Sequence, residues 1–137
     1  MKRRTFLATL AATPLLPTLA QAAPLDYAPG LINERIDAGE TVFLDYKASW
    51  CTTCAAQERV LDALKAENPA YEANITFINI DWDTWARTEV VSSLNVVRRS
   101  TLIAIGPDRR EIGRIVAGTG RDEIKALMDA ALAVASA

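Results

Sequence analysis

The stretch Trp50-Cys51-Thr52-Thr53-Cys54 limits the possible folds of this chain more than any other. It holds the only two cysteines in 137 residues and lies where an apolar run, Val42-Phe43-Leu44, gives way to a helical pattern. Two thiols three positions apart at a strand-to-helix junction are placed for disulfide chemistry. A purely structural disulfide there would close a very short loop and remove little chain entropy, so it would be a poor staple. Zinc or an iron–sulfur cluster needs about four ligands. With two cysteines and no histidine, one chain could complete such a site only through carboxylates, a second chain or an external thiol. No cofactor and no intrachain metal are expected.

Cys51 falls at the start of the helix, where unpaired backbone N–H groups and the positive end of the dipole favour a thiolate, which makes it the nucleophile by position. Cys54, one turn on, is the resolving cysteine that attacks a mixed disulfide and releases the reduced client. Asp45 stands six residues before Cys51, flanked by Phe43, Leu44 and Tyr46. If that strand is central, its carboxylate is buried beneath the motif, its pKa is raised by desolvation, and it can take the proton of Cys54.

Charge narrows the partners. Lys and Arg number 15 against 17 Asp and Glu. Lys2, Arg3 and Arg4 supply three of the basic residues, which leaves 12 against 17, or −5, in the rest. A mildly acidic body without a basic run has no electrostatic footprint for nucleic acid or anionic lipid. Half of the residues are hydrophobic, enough for the core of one ordinary domain.

Residues 1–22 read as a secretory signal: a basic start at Lys2-Arg3-Arg4, an apolar stretch from Phe6 to about Leu19 broken by Pro14 and Pro17, and Ala20-Gln21-Ala22 as the cleavage site. Arg3-Arg4-Thr5-Phe6-Leu7 also resembles a twin-arginine signal. The apolar stretch is short of the roughly 20 residues that cross a bilayer, so no stable membrane insertion is expected after cleavage. The mature chain is expected outside the cytosol, in the periplasm, where disulfides persist.

Residues 23–30 read as a linker and residues 31–137 as the domain. Leu31 to Ala38 has helical spacing. Thr41 to Tyr46 lacks clean alternation, as an inner strand covered on both faces should. From Thr52 to Glu67 the apolar positions Ala56, Val60, Leu61 and Leu64 recur at helical intervals, and Asn68-Pro69 ends the pattern. Ile75 to Ile80 is a second strand, parallel to the first across a right-handed crossover. A weaker helix covers Thr84 to about Leu94. Thr101 to Ile105 and Glu111 to Val116 flank the turn Gly106-Pro107-Asp108 as an antiparallel hairpin, and Arg121 to Ala135 is an amphipathic helix. The expected class is α/β, with a mixed four-stranded sheet flanked by helices.

This order of elements, with WCxxC ending the first central strand, resembles the thioredoxin family over nearly all of residues 31–137. Phe43-Leu44-Asp45-Tyr46-Lys47-Ala48-Ser49-Trp50-Cys51 and Asn79-Ile80-Asp81 carry the likeness, and the first stretch is especially similar to periplasmic reductant domains such as the C-terminal domain of the thiol:disulfide interchange proteins. The resemblance implies a protein-disulfide oxidoreductase whose clients are disulfides of exported proteins, and whose electrons come from a membrane thiol transporter. It also implies client contacts at Trp50, Arg99, Ser100 and Thr101.

Two departures stand out. The family's cis-proline before the hairpin is replaced by Ser100, for which a trans Arg99–Ser100 bond is expected because a non-proline cis bond costs about 3–4 kcal/mol. The lysine that usually neighbours the buried Asp is replaced by Phe77, so Asp45 should lose a charge that favours its ionised form. Arg98 and Arg99 could supply positive charge to Cys51 or point into water. Trp82 and Trp85 fit core packing or a docking patch. The competing functional reading is a non-catalytic thioredoxin-fold module that binds a client or metal, or senses redox state, through the altered loop.

Overall fold

A computed structural model describes residues 23–137; the signal reading of residues 1–22 falls outside them. Strands β1 (Leu25–Asp26), β2 (Thr41–Lys47), β3 (Ile75–Asp81), β4 (Thr101–Ile105) and β5 (Glu111–Val116) form one sheet in the order β1-β3-β2-β4-β5. Helices α1 (Leu31–Asp37), α2 (Thr52–Glu67), α3 (Ala70–Asn74), α4 (Trp82–Trp85), α5 (Glu89–Ser92) and α6 (Arg121–Ala135) flank it. β2 runs parallel to β3, with Asp45 opposite Asn79, and antiparallel to β4, with Tyr46 opposite Thr101. It is the central strand, and six of its seven residues are buried.

Alternation along β2 divides the core into two layers. Phe43 packs with Leu61, Leu64, Phe77, Ile124 and Met128 beneath α2 and α6. Val42, Leu44 and Tyr46 pack on the opposite face with Ile78, Ile80, Val90 and Val91. The Tyr46 hydroxyl donates to the Val90 carbonyl at 2.7 Å, so the phenol enters the second layer without an orphaned polar atom.

The expected α/β class and mixed sheet hold, with three differences. The sheet has five strands rather than four. β1 lies within the stretch read as a linker and pairs parallel with β3, Leu25 opposite Ile78; at two residues it is too short for any alternation to show. The chain coils again after Asn68-Pro69, where Asn68 Oδ1 accepts from the Ala70 N–H at 3.1 Å and starts α3. The single helix expected from Thr84 to Leu94 is instead α4 and α5, broken between Trp85 and Glu89.

Candidate redox site

Cys51 caps α2. Its backbone is extended, with φ −85° and ψ 110°, and its Sγ accepts from the Cys54 N–H at 3.1 Å. No acidic residue lies in the first turn of α2, so nothing there offsets the positive end of the helix dipole. Cys51 and Cys54 are joined by a disulfide with Cα atoms 5.2 Å apart. Both are buried, against Ala48 and half-buried Trp82.

Facing the sulfurs is the loop before β4. The Arg99–Ser100 bond is trans, and Ser100 occupies the left-handed region at φ 61°. Ser100 is fully buried, and its Oγ lies 3.1 Å from Cys51 Sγ and 3.2 Å from Cys54 Sγ. Its N–H donates to the Tyr46 carbonyl at 2.7 Å, and its carbonyl accepts from the Ala117 N–H at 2.8 Å. A third bond to this backbone comes from α2: Gln57 Nε2 donates to the Ser100 carbonyl at 3.0 Å and to the Gly118 carbonyl at 2.9 Å. A side chain at position 118 would meet the Glu123 carboxylate and Ile115 Cγ2, the latter at 2.8 Å, so a larger residue would shift the segment that carries this carbonyl.

The neighbouring residues form an outer rim. Trp50 is 56% exposed; its indole N–H donates to both carboxylate oxygens of Asp83 at 3.0 Å. The Arg99 guanidinium stacks on the Trp50 ring, 4.3 Å from its centroid. Arg98 Nε donates to the Arg99 carbonyl at 3.2 Å. Neither arginine makes a hydrogen bond to a sulfur; Arg99 braces the indole of the residue before Cys51. Thr101 is buried, and its hydroxyl is spent on the Arg98 carbonyl at 2.7 Å. Trp82 and Trp85 are half-buried against the core, and Trp85 meets Tyr27 edge to face at 5.0 Å; core packing accounts for them.

Beneath the motif, Asp45 is buried and its Oδ1 has no hydrogen-bond partner. It lines a cavity of about 30 Å³ with Lys47, Glu58, Asp62, Lys65 and Phe77. Burial pushes its carboxyl up to about 6, while Lys47 and Lys65 pull it down and Glu58 and Asp62 add to the rise. Phe77 brings no charge to Asp45; the cations that act on it are Lys47 and Lys65. Lys65, from α2, is buried with its ammonium 4.0 Å from the centre of the Phe77 ring and 3.8 Å from Glu72. The family's position lost its lysine, and a helix residue above it carries one.

Sequence reasoning missed Gln57 and Lys65. Both lie on the buried stripe of α2 that runs Cys54, Gln57, Leu61, Leu64, Lys65, whereas Ala56 and Val60 are only half-buried. The signal was their spacing from Cys54 and Leu61, which sets them on one helical face whatever their polarity. Among the described residues there is no group of three or more Cys, Asp or Glu side chains arranged to hold a metal.

Comparison with known proteins agrees with this geometry. The model of the thioredoxin family matches residues 30–130. Among curated proteins, none matches. The solved structure of Trxlp from Edwardsiella tarda is 27% identical, with a TM-score of 0.65, over 78% of this chain and 96% of that one. Thioredoxin from Trypanosoma brucei brucei shares the fold at 18% identity and a TM-score of 0.65, over 84% of this chain and 96% of that one. The thioredoxin of Malassezia sympodialis shares it at 16% identity and a TM-score of 0.61, over 84% and 99%. A family match over most of the chain, with a Cys-x-x-Cys disulfide at the N-terminus of α2, makes this chain a thiol-disulfide oxidoreductase that belongs to the thioredoxin family.

Proposed function

We propose that this protein is an exported reductant of disulfides in other exported proteins. The observation that carries the redox reading is the Cys51–Cys54 disulfide at the start of α2, with the Cys54 N–H directed at Cys51 Sγ. Export is supported by the basic start, apolar stretch and Ala20-Gln21-Ala22 of the N-terminal sequence. The reducing direction is supported by the site's low positive charge. Thr52 and Thr53 bring none, and neither Arg98 nor Arg99 hydrogen-bonds a sulfur, so the contacts that favour a thiolate are the helix dipole and hydrogen bonds to Cys51 Sγ.

The reaction runs in two exchanges. The Cys51 thiolate attacks one sulfur of a client disulfide, forms a Cys51–client bond and expels the other client sulfur as a thiolate. Cys54 loses its proton, which Asp45 takes, and attacks Cys51 Sγ; the Cys51–client bond breaks and the second client sulfur leaves with its electron pair. Two electrons pass to the client, whose sulfurs take up two protons, and the Cys51–Cys54 disulfide remains. A membrane thiol transporter then returns two electrons. Trp50, braced by Asp83 and Arg99, gives clients a flat apolar surface beside the disulfide.

Insulin reduction tests the activity: wild type turns over and Cys51→Ala does not, whereas no turnover by wild type would point to a binding module. The direction is read by equilibrating the Cys51–Cys54 pair in redox buffer and following Trp50 fluorescence. A potential near about −270 mV is the expected result, and one near about −120 mV would make the protein an oxidant.

A further inference from the structure

Ser100 is the one fully buried hydroxyl that faces both sulfurs, and those sulfurs are the only hydrogen-bond partners its Oγ has among the described residues. A buried hydroxyl bound only to weak acceptors recovers little of the hydration it lost. The same hydroxyl facing a thiolate makes a charge-assisted bond about twice as strong as a neutral one. The contact is therefore worth most in the reduced protein, where the disulfide has become a thiolate and a thiol.

We propose that the Ser100 hydroxyl is a catalytic hydrogen-bond donor to the Cys51 thiolate, a role that a proline at this position cannot fill. The proposal rests on the reading of Cys51 as nucleophile. A hydroxyl has one proton and two lone pairs. In the reduced protein it gives that proton to Cys51 Sγ and accepts the S–H of Cys54 on its oxygen, so that one group serves both sulfurs. Cys51 then has two donors, the Cys54 N–H and the Ser100 O–H. In the reverse half of the cycle, a donor thiolate attacks Cys51 Sγ, a bond forms between them, and the Cys51–Cys54 bond breaks with its electron pair on Cys54. The hydroxyl turns to that thiolate, 3.2 Å away in the disulfide form.

The surroundings hold the hydroxyl in place for this. Ser100 N–H and C=O are bonded to Tyr46, Ala117 and Gln57, so the residue cannot swing away without breaking backbone bonds at three points. Gln57 is fully buried and comes from the same helix as the cysteines, which ties the loop to the element that carries the sulfurs. Gln57 is a positioning residue here, because it touches the Ser100 carbonyl and neither sulfur.

The test is a pair of variants that both delete the hydroxyl but treat the backbone oppositely. Ser100→Ala keeps a Cβ at φ 61°, which costs energy, whereas Ser100→Gly relieves it. The readouts are the Cys51 thiolate titration followed by its absorbance at 240 nm and the equilibrium of the Cys51–Cys54 pair with glutathione. Both variants should weaken Cys51 acidity about tenfold and shift the redox equilibrium about tenfold toward the disulfide, a potential about 30 mV more reducing. Unchanged acidity in both would overturn the proposal. So would a change in Ser100→Gly alone, which would trace the effect to the relieved backbone rather than to the hydroxyl. Ser100→Gly keeps the measurement open if Ser100→Ala fails to fold. Absence of insulin turnover by wild type would remove the proposed function but leave this titration readable, so the two failures are distinct.

Discussion

Two buried polar sites flank the disulfide in this molecule, and they are built in opposite ways. On the loop side, every polar atom of Ser100 has a partner: Tyr46 and Ala117 through the backbone, Gln57 on its carbonyl, and the two sulfurs on its hydroxyl. On the sheet side, Asp45 leaves Oδ1 unpartnered beside a small cavity rimmed by charges of both signs. A fully bonded group fixes geometry. An unsatisfied carboxyl near neutral pKa can gain and lose a proton at little cost, and this difference suits one side to hold sulfurs and the other to exchange protons.

The largest test of that contrast is Gln57→Ala. It strips donors from the Ser100 and Gly118 carbonyls and opens a void in a packed helix face. The expected loss is about 3 kcal/mol, from the Gly118 carbonyl left without its donor at about 1–3 kcal/mol with a cavity added, since the Ser100 carbonyl keeps the Ala117 N–H; it is read by urea unfolding of the disulfide form. A loss below about 1 kcal/mol would mean that water replaces the amide and that the loop is not fixed by this residue.

Asp45 should behave in the opposite manner, changing stability with pH rather than at all pH values. Its carboxyl is held at about 6 in the folded protein, against 3.8 when unperturbed. Its folded pKa is raised, so its stabilising contribution is complete below about pH 4 and is lost as pH rises through about 6. The two-unit difference corresponds to about 3 kcal/mol. Asp45→Asn cannot titrate, and it should keep that amount between pH 4 and pH 7 while wild type loses it, whatever constant offset the amide introduces. Parallel stability curves for the two proteins would show that the carboxyl is solvated in the native state. The proton-acceptor role of Asp45 predicts in addition that the variant reduces insulin more slowly above pH 6, where wild type has the free carboxylate.

How much of this contrast could be read from the sequence depends on which forces act at each residue. The central strand was legible because Val42-Phe43-Leu44 is apolar without alternation, and α6 because Ile124, Leu127, Met128 and Leu132 repeat at helical spacing. The nucleophile, its partner and Asp45 were legible through short-range spacing along one strand and one helix. Ser100 drew notice only as a departure from a family pattern, and that its hydroxyl lies between the two sulfurs depends on a register, Tyr46 opposite Thr101, that joins residues far apart in the chain. Gln57 and Lys65 were missed because polarity argues for the solvent face of a helix, whereas tertiary contacts overrode it at both. β1 was missed because its two residues gain their hydrogen bonds from β3 rather than from any pattern of their own.

Lys65 provides the finest adjustment to the comparison. A lysine that is buried against an aromatic ring loses hydration, and desolvation lowers its pKa while Glu72, Asp62 and Asp45 work against that fall. It stays in the structure because Glu72 and the face of Phe77 offset part of the cost. Its charge is felt by Asp45 as a downward pull, smaller than that of Lys47 and smaller than the upward push of burial. Lys65→Met preserves the length and apolar stem of the side chain and removes only the charge. The Asp45 midpoint should therefore rise above about 6, by less than about one unit, as expected for one cation acting through a partly polar interior. Titration of the Asp45 carboxyl carbon by NMR measures this directly. An unchanged or lowered midpoint would mean that Lys65 is screened from Asp45, and that Lys47 alone answers for the lysine that the strand position has lost.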